Sequence, residues 1–429
     1  MTLPALLFLV MCCIGVPVAI AIGLGSTLAV YQLGVPMQTV AQRMFASLNS
    51  FPLAAIPFFI LAGALMQTAG ISTRLVNLAQ ALVGGLRGGL GLVTVIAAMF
   101  FAMVSGSGAA TTAAIGSILI PAMAERGYPK PFATALQAGS GELGAIIPPS
   151  IPMVLLALTA GVPMSIGDLF MAGVIPGFLL GGLLMITIYI VSRINGYGDT
   201  VSPGAAGSPR QTRLEALKEA LLPLGLPVII LGGIYGGLFT PTESAIAAVL
   251  YALALGVAVY RNLSFDAVMT ALRSSAISTI AILLIISTAG VLGWVLTLYQ
   301  VPEQVAQAFL AISDSPVVFL LLVNLLLLTV GMFLDAGAAI IILAPILVPV
   351  AVGYNLDPIH FGIVMVVNLA VGMTTPPVGV NLFVACQIAG LRIDQIMRPM
   401  IPLYLAFIVG LLMISFIPEL SLWLPRLLR

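Results

Sequence analysis

Two stretches of this chain stop being helix inside apolar surroundings, and their residue types could hold an ion or an anion. Asn368 to Asn381 reads NLAVGMTTPPVGVN, and Ser140 to Pro149 reads SGELGAIIPP. In the first, Pro376 and Pro377 remove two backbone donors, Gly372 and Gly379 loosen the flanks, and Thr374 and Thr375 bring hydroxyls. A backbone broken in hydrocarbon must be buried in protein or line a wet cavity. The break frees carbonyls and turns two half-helix ends toward one spot, the usual ion and anion site of secondary transporters. A plain proline kink is the alternative for either stretch alone. The pair argues against it. Pro148 and Pro376 are 228 positions apart (376 − 148 = 228), and Pro121 with Pro349 and Gly144 with Gly372 keep the same offset. Interrupted segments at matching positions of two halves point to a transport site.

Three carboxylates, Glu142, Glu243 and Asp335, also sit in apolar surroundings. An ionised carboxylate at the bilayer centre costs at least about 2.5–3.5 kcal/mol, so such groups face a cavity or a partner. A bound cation would compensate Glu142 or Asp335. Alternatively, Asp335 caps a helix start and Glu142 bonds freed amides. Na⁺ is a hard cation that takes oxygen ligands. The chain offers carbonyls at the breaks together with Ser105, Ser107, Thr111, Thr112, Thr374 and Thr375. It has no His/Cys cluster for a transition metal. With no Lys or Arg mid-span, an anion would rest on half-helix N-termini and hydroxyls. Enzyme chemistry lacks its parts. There is no H-E-x-x-H and no phosphate loop, and Ser107 has no base nearby in sequence. The single histidine, His360, reads as an interfacial residue beside Asp357-Pro358.

The elements that must position these groups are membrane helices. Hydrophobic residues make up 61% and charged residues 7%, which excludes a soluble domain. A net charge of +1 offers no field for nucleic acid. Cys12, Cys13 and Cys386 lie in apolar runs, without disulfide or metal spacing. The first basic residue is Arg43, so the opening apolar run, 3 to 35, is expected to stay in the mature chain as one long span or two short ones. Gly88 to Met123 is too long for one span and has a small, hydroxylated centre, Val104 to Thr112. Two arms of roughly 15 residues predict a re-entrant hairpin with its tip near mid-membrane, although close helix packing also favours Gly and Ser. A second hairpin is predicted over Pro316 to Tyr354, turning near Gly331 to Gly337. Unbroken spans are expected at 169–191, 276–298 and 401–416.

Residues 193 to 218 are polar, Pro/Gly-rich and basic, with Arg193, Arg210, Arg213 and Lys218. They read as a cytoplasmic linker whose end, Arg210 to Ala220, forms a short interfacial helix. Hairpin one is flanked by Arg87, Arg126 and Lys130, hairpin two by Asp314, Asp357 and His360. This opposite bias predicts an inverted-topology repeat. Strict inversion puts the C-terminus outside; Arg426 and Arg429 argue for inside, but charges on one short tail are the weaker signal and the repeat is followed.

Five motifs together resemble the large membrane subunit of tripartite ATP-independent periplasmic (TRAP) transporters, over nearly the whole chain. They are VSGSGAATTAAIGSILIPAM (104–123), GSGELGAIIPPSIPM (139–153), GGLFTPTESAIAA (236–248), FLDAGAAIIILAPILVPV (333–350) and GMTTPPVGVNLF (372–383). The resemblance implies an all-α polytopic membrane protein of the ion transporter superfamily. Its two inverted repeats would each carry a re-entrant hairpin and a broken helix. A scaffold (1–87, 169–220, 221–310 and 396–429) would surround an elevator-type transport domain (88–168 and 311–395). It also implies Na⁺-coupled uptake, in the bacterial inner membrane, of an organic acid such as sialic acid, a dicarboxylate or a keto acid. A periplasmic binding protein would deliver the acid, a small four-helix membrane subunit would stand alongside, and no organic cofactor would be needed.

Carried over by position, Na⁺ would lie around Ser105 and Ser107 with Gly139, Gly141 and Gly144. A second site would use Gly331 and Asp335 with Gly372, Thr374 and Thr375. The substrate is expected near Thr111, Thr112, Ser140, Glu142, Pro148, Pro149, Asn368, Pro376, Pro377 and Asn381. Thr240, Pro241, Thr242 and Glu243 form a further motif. A self-sufficient ion-coupled carrier or antiporter, needing no binding protein, is the alternative.

Overall fold

The computed structural model describes residues 2–86, 88–197 and 213–428, and every regular element within them is helical. Arg87, Arg210 and the centre of the linker lie outside the described residues. The opening apolar run resolves into two helices, α1 (Thr2–Cys13) and α2 (Val18–Gln32). Gly15, at φ +82°, and Pro17 separate them. Next come α3 (Gln38–Leu48), α4 (Ala55–Thr68) and α5 (Ile71–Val83). Hairpin one is α6 (Gly89–Ser105) and α7 (Gly108–Glu125). The first broken helix is α8 (Lys130–Gly141), α9 (Leu143–Ile146) and α10 (Ile151–Thr159), bent by 45° at the break. The long α11 (Ile166–Asn195) closes the first half.

The second half opens with α12 (Arg213–Tyr235), α13 (Pro241–Ala254), the 34-residue α14 (Phe265–Leu298) and α15 (Val301–Leu310). Hairpin two is α16 (Pro316–Gly331) and α17 (Ala336–Gly353), and the second broken helix is α18 (Pro358–Gly372) and α19 (Val380–Ala389). The chain ends with α20 (Ile393–Phe416) and α21 (Glu419–Leu428). α7 and α17 both hold 18 residues, and both they and the pair α8 and α18 start 228 positions apart. At about 27 Å these arms exceed the expected length, because each helix continues through its prolines: Pro121 in α7, Pro345 and Pro349 in α17. Eight helices among the described residues are long and apolar enough to cross a membrane.

Two groups of helices emerge from the packing. α14 lies along α2, α3 and α4, while α13 packs on α4 and α12. The hairpins and broken helices form the other group, and they interlock crosswise. α7 packs on α8 and also on α19, and α17 packs on α18 and also on α10. Thus each hairpin rests on half of its own broken helix and half of the other. α11 and α20 lie against each other, α11 also against α6 and α20 also against α8.

Three expectations need correction. Residues 213–220 are not a separate interfacial helix but the first turns of α12, whose apolar face continues without a cap between them. The last long span starts at Ile393 rather than Ile401, because Asp394 and Gln395 sit in its first turn. His360 is buried, 1% exposed, rather than open at a span entrance. α21 folds across the start of α18, leaving the imidazole 3.4 Å from Ser421 Oγ and 3.3 Å from the Ser415 carbonyl.

Glu243 is exposed and does not face a cavity. It closes a capping box: the Thr240 N–H donates to Glu243 Oε2 at 2.7 Å, and the Glu243 N–H donates to Thr240 Oγ1 at 3.3 Å. Thr240→Ala is therefore expected to lower stability by about 1 kcal/mol. A thermal melt in detergent checks this.

Candidate functional site

At the tip of hairpin one, Gly106 turns with φ +62°, and Ser107 is the N-cap of α7. The tip is laid into the first break. The Ile151 N–H donates to the Gly106 carbonyl at 3.1 Å, and a Cβ on Gly106 would stand 2.8 Å from the Pro149 carbonyl oxygen. Ser105 Oγ lies 2.8 Å from Thr111 Oγ1, which also reaches the Ser107 carbonyl at 2.9 Å. A side chain at Gly144 would collide with Thr111 Oγ1 and the Ser107 carbonyl, and one at Gly141 with Thr112. Glycine is what lets the break approach the tip. The structure thus brings Ser105, Ser107, Thr111, Thr112, Gly141 and Gly144 together. Gly139 faces Leu403 and Phe407 of α20 instead.

Hairpin two meets its own break in the same way. Gly331 and Gly372 pack backbone to backbone, and the N–H groups of Val378 and Gly379 both donate to the Met332 carbonyl at 3.2 Å. Asp335 caps α17 by accepting from the Gly337 N–H at 2.9 Å. The Thr374 and Thr375 hydroxyls both donate to the Val371 carbonyl, at 2.7 and 3.2 Å. Their protons are committed there, which leaves oxygen lone pairs suited to a cation. Tyr404 from α20 donates to the Thr374 carbonyl at 2.5 Å.

A cavity of about 150 Å³ lies between the two tips. Ser107 and Gly108 of one hairpin and Asp335 and Gly337 of the other line it, and Ile282 and Ile285 of α14 form an apolar wall. Both α7 and α17 start at this cavity, so each turns its N-terminal dipole toward it. No Lys or Arg lines it.

None of the residues expected around the substrate lines this space. Glu142, Ser140, Thr111 and Thr112 are buried behind the tip of hairpin one. Asn381 is buried with them, its Nδ2 donating to Glu142 Oε1 at 2.6 Å. Pro148 and Pro149 belong to the first break, while on the second Pro376 is half-buried and Pro377 exposed. Both Pro-Pro bonds are cis. Asn368 of α18 faces α16, donating to Asn324 Oδ1 at 2.8 Å, and Asn324 reaches Ser415 Oγ of α20 at 3.0 Å. Thr240 to Glu243 lie outside the site, as a helix cap. Sequence reasoning missed Gly108, Gly337, Met373, Ile282 and Ile285. The last two carry no mark in a span that is apolar throughout. A broader surface groove at Phe383–Asp394 shares no residue with this cavity.

Comparison with known proteins adds to this geometry. Residues 5–420 match the family model described as "Tripartite ATP-independent periplasmic transporter, DctM component". The isethionate TRAP transporter permease protein DctMQ of Oleidesulfovibrio alaskensis is 45% identical over 422 residues. The match covers 97% of this chain and 64% of that one, so the chain spans less than two thirds of that relative's length. The C4-dicarboxylate TRAP transporter large permease protein DctM of Pseudomonas aeruginosa is 43% identical, over 91% of this chain and 90% of that one. The sialic acid TRAP transporter large permease protein SiaM of Vibrio cholerae is 39% identical, over 90% and 89%. Among solved structures, the Alcanivorax borkumensis YdaH transporter shares the fold, with a TM-score of 0.63 at 18% identity over 99% of this chain and 98% of that one.

Proposed function

Because the chain belongs to the DctM-component family of tripartite ATP-independent periplasmic transporters, and is a multi-pass protein of the bacterial inner membrane, we propose that it is the subunit through which a small organic acid anion crosses, driven by Na⁺. The observation that carries this reading is the cavity between the two hairpin tips, with two helix N-termini turned toward it and oxygen-rich breaks behind. The N-termini suit an anion, and the breaks suit small hard cations. In this reading one Na⁺ binds around Ser105, Ser107 and Gly144, and another around Gly331, Asp335, Thr374 and Thr375. The acid sits between the tips. Relatives are named for isethionate, C4-dicarboxylates and sialic acid, all of which are acids.

The hairpins and broken helices, 88–168 and 311–395, move as one elevator unit past α14 and its neighbours. α11 and α20, which the sequence places in the scaffold, pack on α6 and α8 and in this reading move with that unit instead. A periplasmic binding protein delivers the substrate, and a small membrane subunit braces the static helices. The energetics suffice. Each Na⁺ entering at 100 mV releases about 2.3 kcal/mol, and a tenfold gradient adds about 1.4. Two ions give about 7 kcal/mol, less about 2.3 for each net negative charge carried inward.

The test is uptake into proteoliposomes holding both membrane subunits and the binding protein. Dissipating the Na⁺ gradient is expected to reduce accumulation at least tenfold. Equal uptake on a K⁺ gradient would remove Na⁺ coupling, and full uptake without the binding protein would favour a self-sufficient carrier.

A further inference from the structure

We propose that Glu142 and Asn381 hold a further monovalent cation, shared between the two halves of the chain and adjoining the tip of hairpin one. Glu142 is 0% exposed, at the break between α8 and α9, and Asn381 is 0% exposed in the first turn of α19. Asn381 Nδ2 donates to Glu142 Oε1 at 2.6 Å, but Glu142 Oε2 and Asn381 Oδ1 have no hydrogen-bond partner. Glu142 is in no salt bridge among the described residues.

The surroundings are rich in oxygen. A Cβ on Gly108 would stand 2.7 Å from Asn381 Nδ2, 3.2 Å from Glu142 Oε2 and 3.4 Å from the Gly141 carbonyl oxygen. These groups therefore crowd the first turn of α7. One turn further, Thr112 is fully buried against Gly141, and its Oγ1 also lacks a partner. A carboxylate, a side-chain amide and a main-chain carbonyl thus adjoin Gly108, with the Thr112 hydroxyl one turn on, and three side-chain oxygens among them are unpartnered. The N-terminal dipoles of α7 and α19 soften the cost of the buried charge but supply no hydrogen bond to Oε2. An isolated buried carboxylate remains expensive unless paired.

A hard monovalent cation supplies that pairing and takes oxygen ligands. The described residues contain no group of three His, Cys, Asp or Glu side chains to hold a transition metal. The proposal rests on the Na⁺ reading above only for the identity of the ion. Its consequence reaches the substrate cavity through Gly108, which lines that cavity. A cation behind Gly108 adds positive charge to a space that has Asp335 and no basic side chain, and so favours an anion there.

The experiment measures ²²Na⁺ and substrate entering the same proteoliposomes, for the wild type and for Glu142→Gln. The expected result is a Na⁺-to-substrate ratio lower by one in Glu142→Gln. An unchanged ratio overturns the proposal, as does an unchanged ratio with lost pH dependence, which would assign a proton to Glu142. A wild type that carries no Na⁺ defeats the function reading and not this one. The site is then judged by Na⁺-dependent thermal stabilisation of the purified chain against choline. Asn381→Ala keeps the carboxylate, and it carries the test should Glu142→Gln fail to insert. It is expected to weaken Na⁺ binding about tenfold, and stabilisation equal to wild type overturns the proposal.

Discussion

Asp335→Asn is expected to raise the Na⁺ concentration for half-maximal uptake by tenfold to a hundredfold while leaving the melting temperature nearly unchanged. The two readouts separate because of what Asp335 does. Its carboxylate caps α17 through the Gly337 N–H and opens on the cavity between the hairpin tips. Asparagine caps a helix about as well as aspartate, so the start of α17 is kept and only the charge is lost. Hydrogen bonds and contacts to charged groups contribute about 1.5–3 kcal/mol, which corresponds to that range of affinity. Titrating uptake with Na⁺, beside a thermal melt, checks both halves. Equal loss of expression and transport would make Asp335 a structural cap and nothing more.

Gly372→Val is expected to abolish transport, with at least a tenfold fall in maximal rate and a less stable chain. A Cβ at this position would lie 2.7 Å from Gly331 Cα, 2.9 Å from its carbonyl carbon and 3.0 Å from the Leu328 carbonyl oxygen. All three are main-chain atoms, so no rotamer change can relieve the contact. Hairpin two must lift from α18. Overpacking of this kind costs about 1–3 kcal/mol, more where the backbone cannot yield. Gly353→Ala is the control, since nothing stands within 4 Å of a Cβ there. Uptake at saturating Na⁺ and substrate separates the two, and a Gly372→Val chain with normal transport would refute the close-packed joint.

Much of this site could be read from the sequence because broken helices need unusual residues. Proline pairs, flanking glycines and hydroxyls announced both breaks, and the 228-position offset tied them together. The hairpin tips were legible for the same reason: Ser107 and Asp335 are helix-start residues inside apolar runs. What the sequence hid lies on uniformly apolar helices. A helix facing lipid on one side and protein on the other is hydrophobic all round, so periodicity did not show which face of α14 would present Ile282 and Ile285. His360 was misplaced because its neighbours Asp357 and Pro358 suggest a water-facing helix start, whereas α21 covers it from far along the chain. The partner of Asn368 had a usable signal: Asn324 is a lone amide in an otherwise apolar arm, and such groups seek a polar neighbour across helices.

The two isoleucines of α14 have a mechanical consequence. Every group around the cavity that could grip a charged cargo belongs to the hairpins, and the facing wall offers only methyl groups. In the proposed elevator movement, a passenger held wholly by the car would leave no bond behind on the shaft. Sliding would then cost little more than exchanging one greasy surface for another, and friction along the route would stay low whatever acid is aboard.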